Sequence, residues 1–325
     1  MFERIMVPLN GLASAEAAVA PAAAMARTHG AELHLVLVDG PSRLDPMSDE
    51  FPRVDCAAYR DGQMQPLADN LRHDLGIAVT TAMLAGPVVA TLAHYASVVR
   101  ADLIVMATHG RVGWRRAWVG SVADDLMHEV TIPLLLLRIG SEGAAVAGSF
   151  RRILVPLDGS DAAAAALDEA CTVARAGKSA VILVRVVTPI PAEVNLAATA
   201  GVVLTDTEAT QRLVDEAQQY VDGLADGLRS REPMRVETLV ELVPVIAPLS
   251  PVASIIATLA RELRTDLVAL TTHGRGASRL LVGSVGDKVL HDTHCALLIC
   301  HGRVSAASSV AKDARPAQAT IPNPV

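Results

Sequence analysis

Two short segments carry side chains that could hold a ligand. Asn10-Gly11 follows the apolar run Ile5-Met6-Val7-Pro8-Leu9, and Asp158-Gly159-Ser160 follows Ile153-Leu154-Val155-Pro156-Leu157. A carboxamide or carboxylate at the end of a buried strand can reach a ligand hydroxyl, and the glycine supplies the turn. A second set lies downstream: Gly110 with Gly120-Ser121-Val122, and again Gly274 with Gly283-Ser284-Val285. Each set flanks a loop that opens into a helical stretch. Glycines let backbone approach an anion closely, and a helix N-terminus offers unpaired N–H groups and a positive dipole end. Ser121 and Ser284 are expected to be N-caps, their hydroxyls open to the helix or to a phosphate.

Each feature also has a plainer reading. Asp-Gly and Asn-Gly are ordinary turn pairs, and Gly-Ser is an ordinary helix cap. Recurrence in two copies at one place in the pattern favours ligand binding. His109 and His273 fit local hydrogen bonding of the loop better than acid–base work. Arg111, Arg115 and Arg116 suit a phosphate or solvent equally, and Trp114 and Trp118 suit a ligand shield or packing on a partner half. His291, His294 and Cys295 have a spacing too nonspecific for a metal.

The elements that position these residues are themselves duplicated. Arg4–Gly11 recurs as Arg152–Gly159, 148 positions later, and Asp102–Arg111 recurs as Asp266–Arg275, 164 positions later. A repeat of this length means two tandem domains rather than a solenoid. The expected units are residues 1–140 and 150–303, joined by a linker at 141–149 and followed by a disordered tail at 304–325. Strands are expected at Ile5–Pro8, Glu32–Val38, Ala78–Leu84, Leu103–Ala107 and Leu134–Arg138, and then at Ile153–Pro156, Val181–Val187, Arg235–Val243, Leu267–Leu270 and Leu297–Cys300. Runs such as Leu134–Leu137 are apolar throughout, as burial on both faces of a parallel sheet requires. Helices are expected at Ser14–His29, Gln65–Leu75, Val88–Arg100 and Val119–Glu129. Pro21 inside the first of them implies a kink or a later start. Residues 39–64 read as a long loop holding at most a short helix. The fold class is α/β, two doubly wound parallel sheets of five strands each. The two last strands are apolar edges that need cover, so they should meet at a pseudo-twofold junction within the chain.

Composition narrows the function. The 325 residues are 51% hydrophobic with a net charge of −7, which fits a packed protein and not a general nucleic-acid binder. A local positive pocket for a small anion is still compatible with that charge. No stretch reads as a membrane span, and the N-terminus reads as a strand rather than a secretory leader, so a cytoplasmic protein is expected. The four cysteines form no CxxC pair and read as buried thiols rather than a disulfide framework.

Val155-Pro156-Leu157-Asp158-Gly159-Ser160 and the late glycine motif resemble the universal stress protein family, over nearly the whole chain in two copies. That family shows a V-P-x-D-G-S-like strand end and a G-x2-G-x9-G-[ST] motif that wraps ATP phosphates in its nucleotide-binding members. The first copy departs at Asn10, at Leu12 in place of Ser, and at Ala107 in place of the leading Gly. The second departs at Thr271, the same Gly position, and keeps only eight residues between Gly274 and Gly283. The resemblance implies that Asn10 and Asp158 face the adenosine end of a nucleotide and that Val38 and Val186 touch adenine. It implies that Gly110, Gly120, Ser121 and Val122 meet ribose and phosphates, as do Gly274, Gly283, Ser284 and Val285, with Ala107 and Thr271 at the adjoining strand ends. The implied ligand is ATP with Mg²⁺.

No G-x4-G-K-[ST] occurs, and no paired carboxylates or Ser–His–Asp set converge in both halves, so at most slow ATP hydrolysis is expected. Three readings stay open at this point: a nucleotide-dependent regulatory protein of stress response, an interaction scaffold that has lost nucleotide binding, and a slow ATPase. The sequence leaves open whether two chains pair further.

Overall fold

The computed structural model describes residues 1–40, 55–108, 121–138, 150–192, 205–231, 233–244, 252–272 and 284–301. The expected linker, 141–149, and the expected tail, 304–325, lie outside the described residues. The first half runs β1 (Arg4–Leu9), α1 (Ala13–Glu16), α2 (Val19–His29), β2 (Glu32–Asp39), α3 (Cys56–Tyr59), α4 (Gln65–Leu75), β3 (Val79–Ala85), α5 (Val88–Val98), β4 (Leu103–Thr108), α6 (Ser121–Glu129) and β5 (Leu134–Arg138). The second runs β6 (Arg152–Pro156), α7 (Asp161–Gly177), β7 (Ala180–Val187), α8 (Thr207–Arg231), β8 (Arg235–Leu242), α9 (Val252–Glu262), β9 (Leu267–Thr272), α10 (Ser284–Asp292) and β10 (Ala296–His301).

All ten strands fall where the apolar runs place them. They form one sheet in the order β3-β2-β1-β4-β5-β10-β9-β6-β7-β8. Within each half every pair is parallel, as right-handed crossovers through helices produce. At the centre β5 and β10 pair antiparallel, Leu136 opposite Leu297, Leu135 opposite Leu298 and Leu134 opposite Ile299. The two apolar edges thus cover each other, as expected, and all six side chains are fully buried. Arg138 adds a polar tie across the junction, its Nη1 donating to the Thr293 carbonyl at 2.9 Å.

Helices cover both faces. One face packs β-strand residues such as Ile5, Leu33, Leu35, Ile153, Val181 and Leu183 with Ala22 and Ala26 of α2, Ala68 of α4, Ala170 of α7 and Ala225 of α8. The other packs Met6, Val36, Ile104, Leu154 and Val268 with Leu92 and Ala96 of α5, Leu126 of α6 and Ile256 of α9. Small alanines let these helices lie close in a chain with so few aromatic residues.

The helices after β1 and β6 differ for a reason legible in the sequence. α7 runs unbroken over 17 residues, whereas its counterpart stops at Glu16 and restarts at Val19. Pro21 has no N–H, and its ring would clash with the Ala17 carbonyl of a continuous helix, so the break falls there. Before α4, a wider π-turn at Arg60–Met64 joins α3 to the helix and precedes Pro66. No helix among the described residues is long and apolar enough to cross a membrane.

At the amino ends of the strands, opposite the expected site, one device is repeated. The Asp102 carboxylate accepts the N–H groups of Glu3 (2.6 Å) and Arg4 (3.2 Å). Asp266 Oδ2 likewise accepts those of Arg151 (2.7 Å) and Arg152 (3.0 Å). The aspartate opening each Asp-Leu motif therefore staples β1 to β4 and β6 to β9. Its recurrence is structural, and it leaves the other end of the same strands for a ligand.

Candidate functional site

In each half the chain leaves the first strand for the second and third, then crosses back to lay the fourth on the first strand's other side. The crevice beyond the carboxyl ends of β1 and β4, and of β6 and β9, is the topological switch point where open α/β sheets bind ligands. Asn10 is the first residue after β1, and Asp158 the second after β6. Both side chains are exposed there.

The two turns share one hydrogen-bond plan. Asn10 Oδ1 accepts the Leu12 N–H at 3.1 Å, and Asp158 Oδ1 accepts the Ser160 N–H at 2.9 Å. In the second half the plan goes further. The Ser160 hydroxyl donates to Asp158 Oδ1 at 2.6 Å and accepts the Ala163 N–H at 3.1 Å, capping α7. Leu12 cannot do this, and α1 has no side-chain cap. Partial burial pushes the Asp158 carboxyl up. The hydrogen bonds from Ser160 and the positive charge of Arg185 outweigh it, and the group titrates below its ordinary value. Asp158 is thus held as a carboxylate whose Oδ2 has no hydrogen-bond partner among the described residues.

The cap difference yields a measurable asymmetry. Leu12 already has extended backbone angles (φ −110°, ψ 141°) close to those of Ser160 (φ −83°, ψ 153°). Ser160→Ala should therefore cost about 1 kcal/mol, and Leu12→Ser should stabilise by about 0.5–1 kcal/mol. Urea midpoints that move the same way for both variants would refute this account of the two turns.

The other expected residues sort by position. Val38 and Val186 are the penultimate residues of β2 and β7, half-buried and packed on the same face of the sheet. Ala107 and Thr271 are the penultimate residues of β4 and β9, across the switch point from Asn10 and Asp158. Ser121 and Ser284 are the first residues of α6 and α10, so each stands inside the helix rather than at the capping position. Val122 packs on the core beneath α6, whereas Val285 is exposed. Gly110, Gly120, Gly274 and Gly283 lie outside the described residues, as do His109, His273, Arg111, Arg115, Arg116, Trp114 and Trp118. The described residues thus place the strand ends of each half at one edge of the sheet, with α6 following β4 and α10 following β9.

The sequence model of the universal stress protein family matches residues 1–138 and 149–301. The chain belongs to the universal stress protein family. Its two matched segments are the two halves of the sheet, and none of the four cysteines of this tandem universal stress protein is in a disulfide. A universal stress protein of Methanocaldococcus jannaschii is 28% identical over 141 residues, 42% of this chain and 83% of that protein. Among solved structures, a universal stress protein from Archaeoglobus fulgidus superposes with a TM-score of 0.63 at 16% identity, covering 92% of this chain and 98% of that one. A functionally unknown protein from Pseudomonas aeruginosa gives 0.63 at 16% identity over 93% of both. At such identities these likenesses establish the tandem α/β fold.

One candidate residue escaped the sequence reading. Arg185 sits on β7 one position before Val186, where the matching register of the first half has Leu37. The available signal was a lone charge closing the run Val181-Ile182-Leu183-Val184, in a strand whose counterpart is apolar at that place.

Proposed function

We propose that this universal stress protein is a cytoplasmic regulatory protein of stress response that binds adenine nucleotide, ATP, at the carboxyl ends of its strands. The observation that carries the reading is the pair of switch-point turns. Each presents an exposed polar side chain, Asn10 or Asp158, that is fixed by its own turn at the carboxyl edge of the sheet, beside the end of β4 or β9. Asp158 fits the ribose or base end of a nucleotide, because its carboxylate is ionised and one oxygen is uncommitted. The amino ends of α6 and α10 are suited to phosphate by their dipoles and free N–H groups. Val38 and Val186 would bound the adenine. Bound ATP would bring its own Mg²⁺ and supply the energy difference between two conformations, since a ligand stabilises whichever state binds it better.

Among the described residues no group is placed to orient an attacking water or hold the metal for phosphoryl transfer, so any hydrolysis should be slower than about 1 s⁻¹. The test is the nucleotide content of freshly purified protein, released by denaturation and resolved by chromatography, followed by calorimetric titration with ATP. Adenine nucleotide in the released fraction, or saturable ATP binding, is expected. The absence of both would favour the second reading, an interaction scaffold, which the departures at Asn10, Leu12, Ala107 and Thr271 support.

A further inference from the structure

Between the end of β7 and the side of α8 lies a cavity of about 450 Å³, bounded by Gly159, Arg185, Leu213, Glu216, Ala217 and Tyr220. That volume is in the range of small-molecule sites. Arg185 is half-buried, and its guanidinium has no hydrogen bond or ion pair among the described residues; Nη1 is sealed from solvent without a partner. Nη1 packs so closely on Gly159 that a Cβ there would come within 2.8 Å of it. Gly159 also has φ +86°, a conformation that favours glycine. The charge of Arg185 acts on the Asp158 carboxylate, but not at hydrogen-bond distance, and a cationic donor without a hydrogen-bond acceptor is rare enough in proteins to call for one. The first half, with Leu37 in the same register position and fully buried, places no charge there.

We propose that this cavity is a second ligand site, confined to the second half, in which Arg185 holds the carboxylate of a small monoanion with an apolar body. The fork of guanidinium N–H groups matches a carboxylate. Leu213 and Ala217 on α8 supply the apolar wall and Tyr220 an aromatic one. Charge decides between anion classes. Glu216, exposed on α8, and Asp158, beside Gly159, add negative charge around the mouth, which disfavours a phosphate dianion more than a monoanion. The cavity shares Val186 with the proposed nucleotide site but uses none of its glycines, and the inference does not depend on nucleotide binding.

The probe is 2-naphthoate, titrated calorimetrically into the full chain, with 2-naphthyl phosphate as the dianion control. Saturable single-site binding of the carboxylate is expected, with the phosphate ester weaker. Arg185→Leu, the first half's own residue, should weaken binding at least about tenfold while the circular dichroism spectrum and melting temperature hold. Arg185→Lys should keep part of the affinity, having the charge without the planar fork. Glu216→Gln should bind the probe as well as the parent or better. No saturable binding of 2-naphthoate, or undiminished affinity in Arg185→Leu, would overturn the site. Tighter binding of the phosphate ester would overturn the monoanion assignment.

Discussion

Leu298→Asp is expected to lower the melting temperature by about 10 °C or more, or to leave the chain insoluble. Leu298 lies opposite Leu135 in the antiparallel pair that joins the two halves, and neither side chain is exposed. Its surroundings are aliphatic, so an introduced carboxylate would be unpaired and cost roughly 3–5 kcal/mol, or fold only once protonated. Single-domain proteins have only about 5–15 kcal/mol of total stability, so this is a large share of it. Leu298→Ala should cost about 2–5 kcal/mol by cavity formation and keeps the test usable if the Asp variant fails to fold. Because the ten strands form one sheet, both halves should lose stability together, read by calorimetry as one transition moving as a whole. Two separate transitions in the parent, only the later half's shifting in Leu298→Ala, would show that the halves fold independently and that the junction merely docks them.

The strength of that junction is why the architecture was legible before any coordinates. Leu134–Leu137 and Leu297–Cys300 are apolar on consecutive positions, which is unstable at a sheet edge, and a duplicated chain offers each a partner of its own kind. The strands were readable for the same reason: burial on both faces writes a continuous apolar run that helices and loops do not imitate. The break in the first helix was readable at Pro21, because a missing N–H acts locally.

The site was less legible because its residues are defined by what they lack. Leu12 reads as one more apolar residue, and only the neighbouring geometry shows that it occupies a capping position. Ser121 and Ser284 read as caps, but a cap and a first helical residue differ by one position and a backbone rotation that no side-chain type specifies. Arg185 was hidden by its strand: a single cation among valines resembles an ordinary edge position until α8 is seen to wall it in. Asp102 and Asp266 show the converse. Their recurrence matches that of the motifs proposed to bind ligand, yet both are spent on backbone N–H groups at the far end of the sheet.

The two proposed nucleotide sites should not be equivalent, and Gly120→Val should reveal it by weakening ATP binding about a hundredfold. The first half keeps nine residues between Gly110 and Gly120 but carries Asn10; the second keeps Asp158 but has eight residues between Gly274 and Gly283, with Thr271 at the strand end. A charge-assisted contact to one ligand hydroxyl is worth about 1.5–3 kcal/mol. A loop one residue short shifts its amides by roughly 3 Å, enough to lose several phosphate hydrogen bonds together. The structure further reduces the second half's advantage, because Asp158 Oδ1 is already taken by the Ser160 amide and hydroxyl, and only Oδ2 is left for a ligand. On this balance the triphosphate is expected in the first half, where a branched side chain at position 120 would stand against its phosphates. Gly283→Val should change the affinity less than about fivefold, since a second half short of phosphate contacts has little to lose. Calorimetric titrations of both variants, each checked for an unchanged melting temperature, decide the matter. If Gly283→Val removes the main binding event and Gly120→Val leaves it intact, the carboxylate of Asp158 outweighs loop length and the ranking of the two halves is reversed.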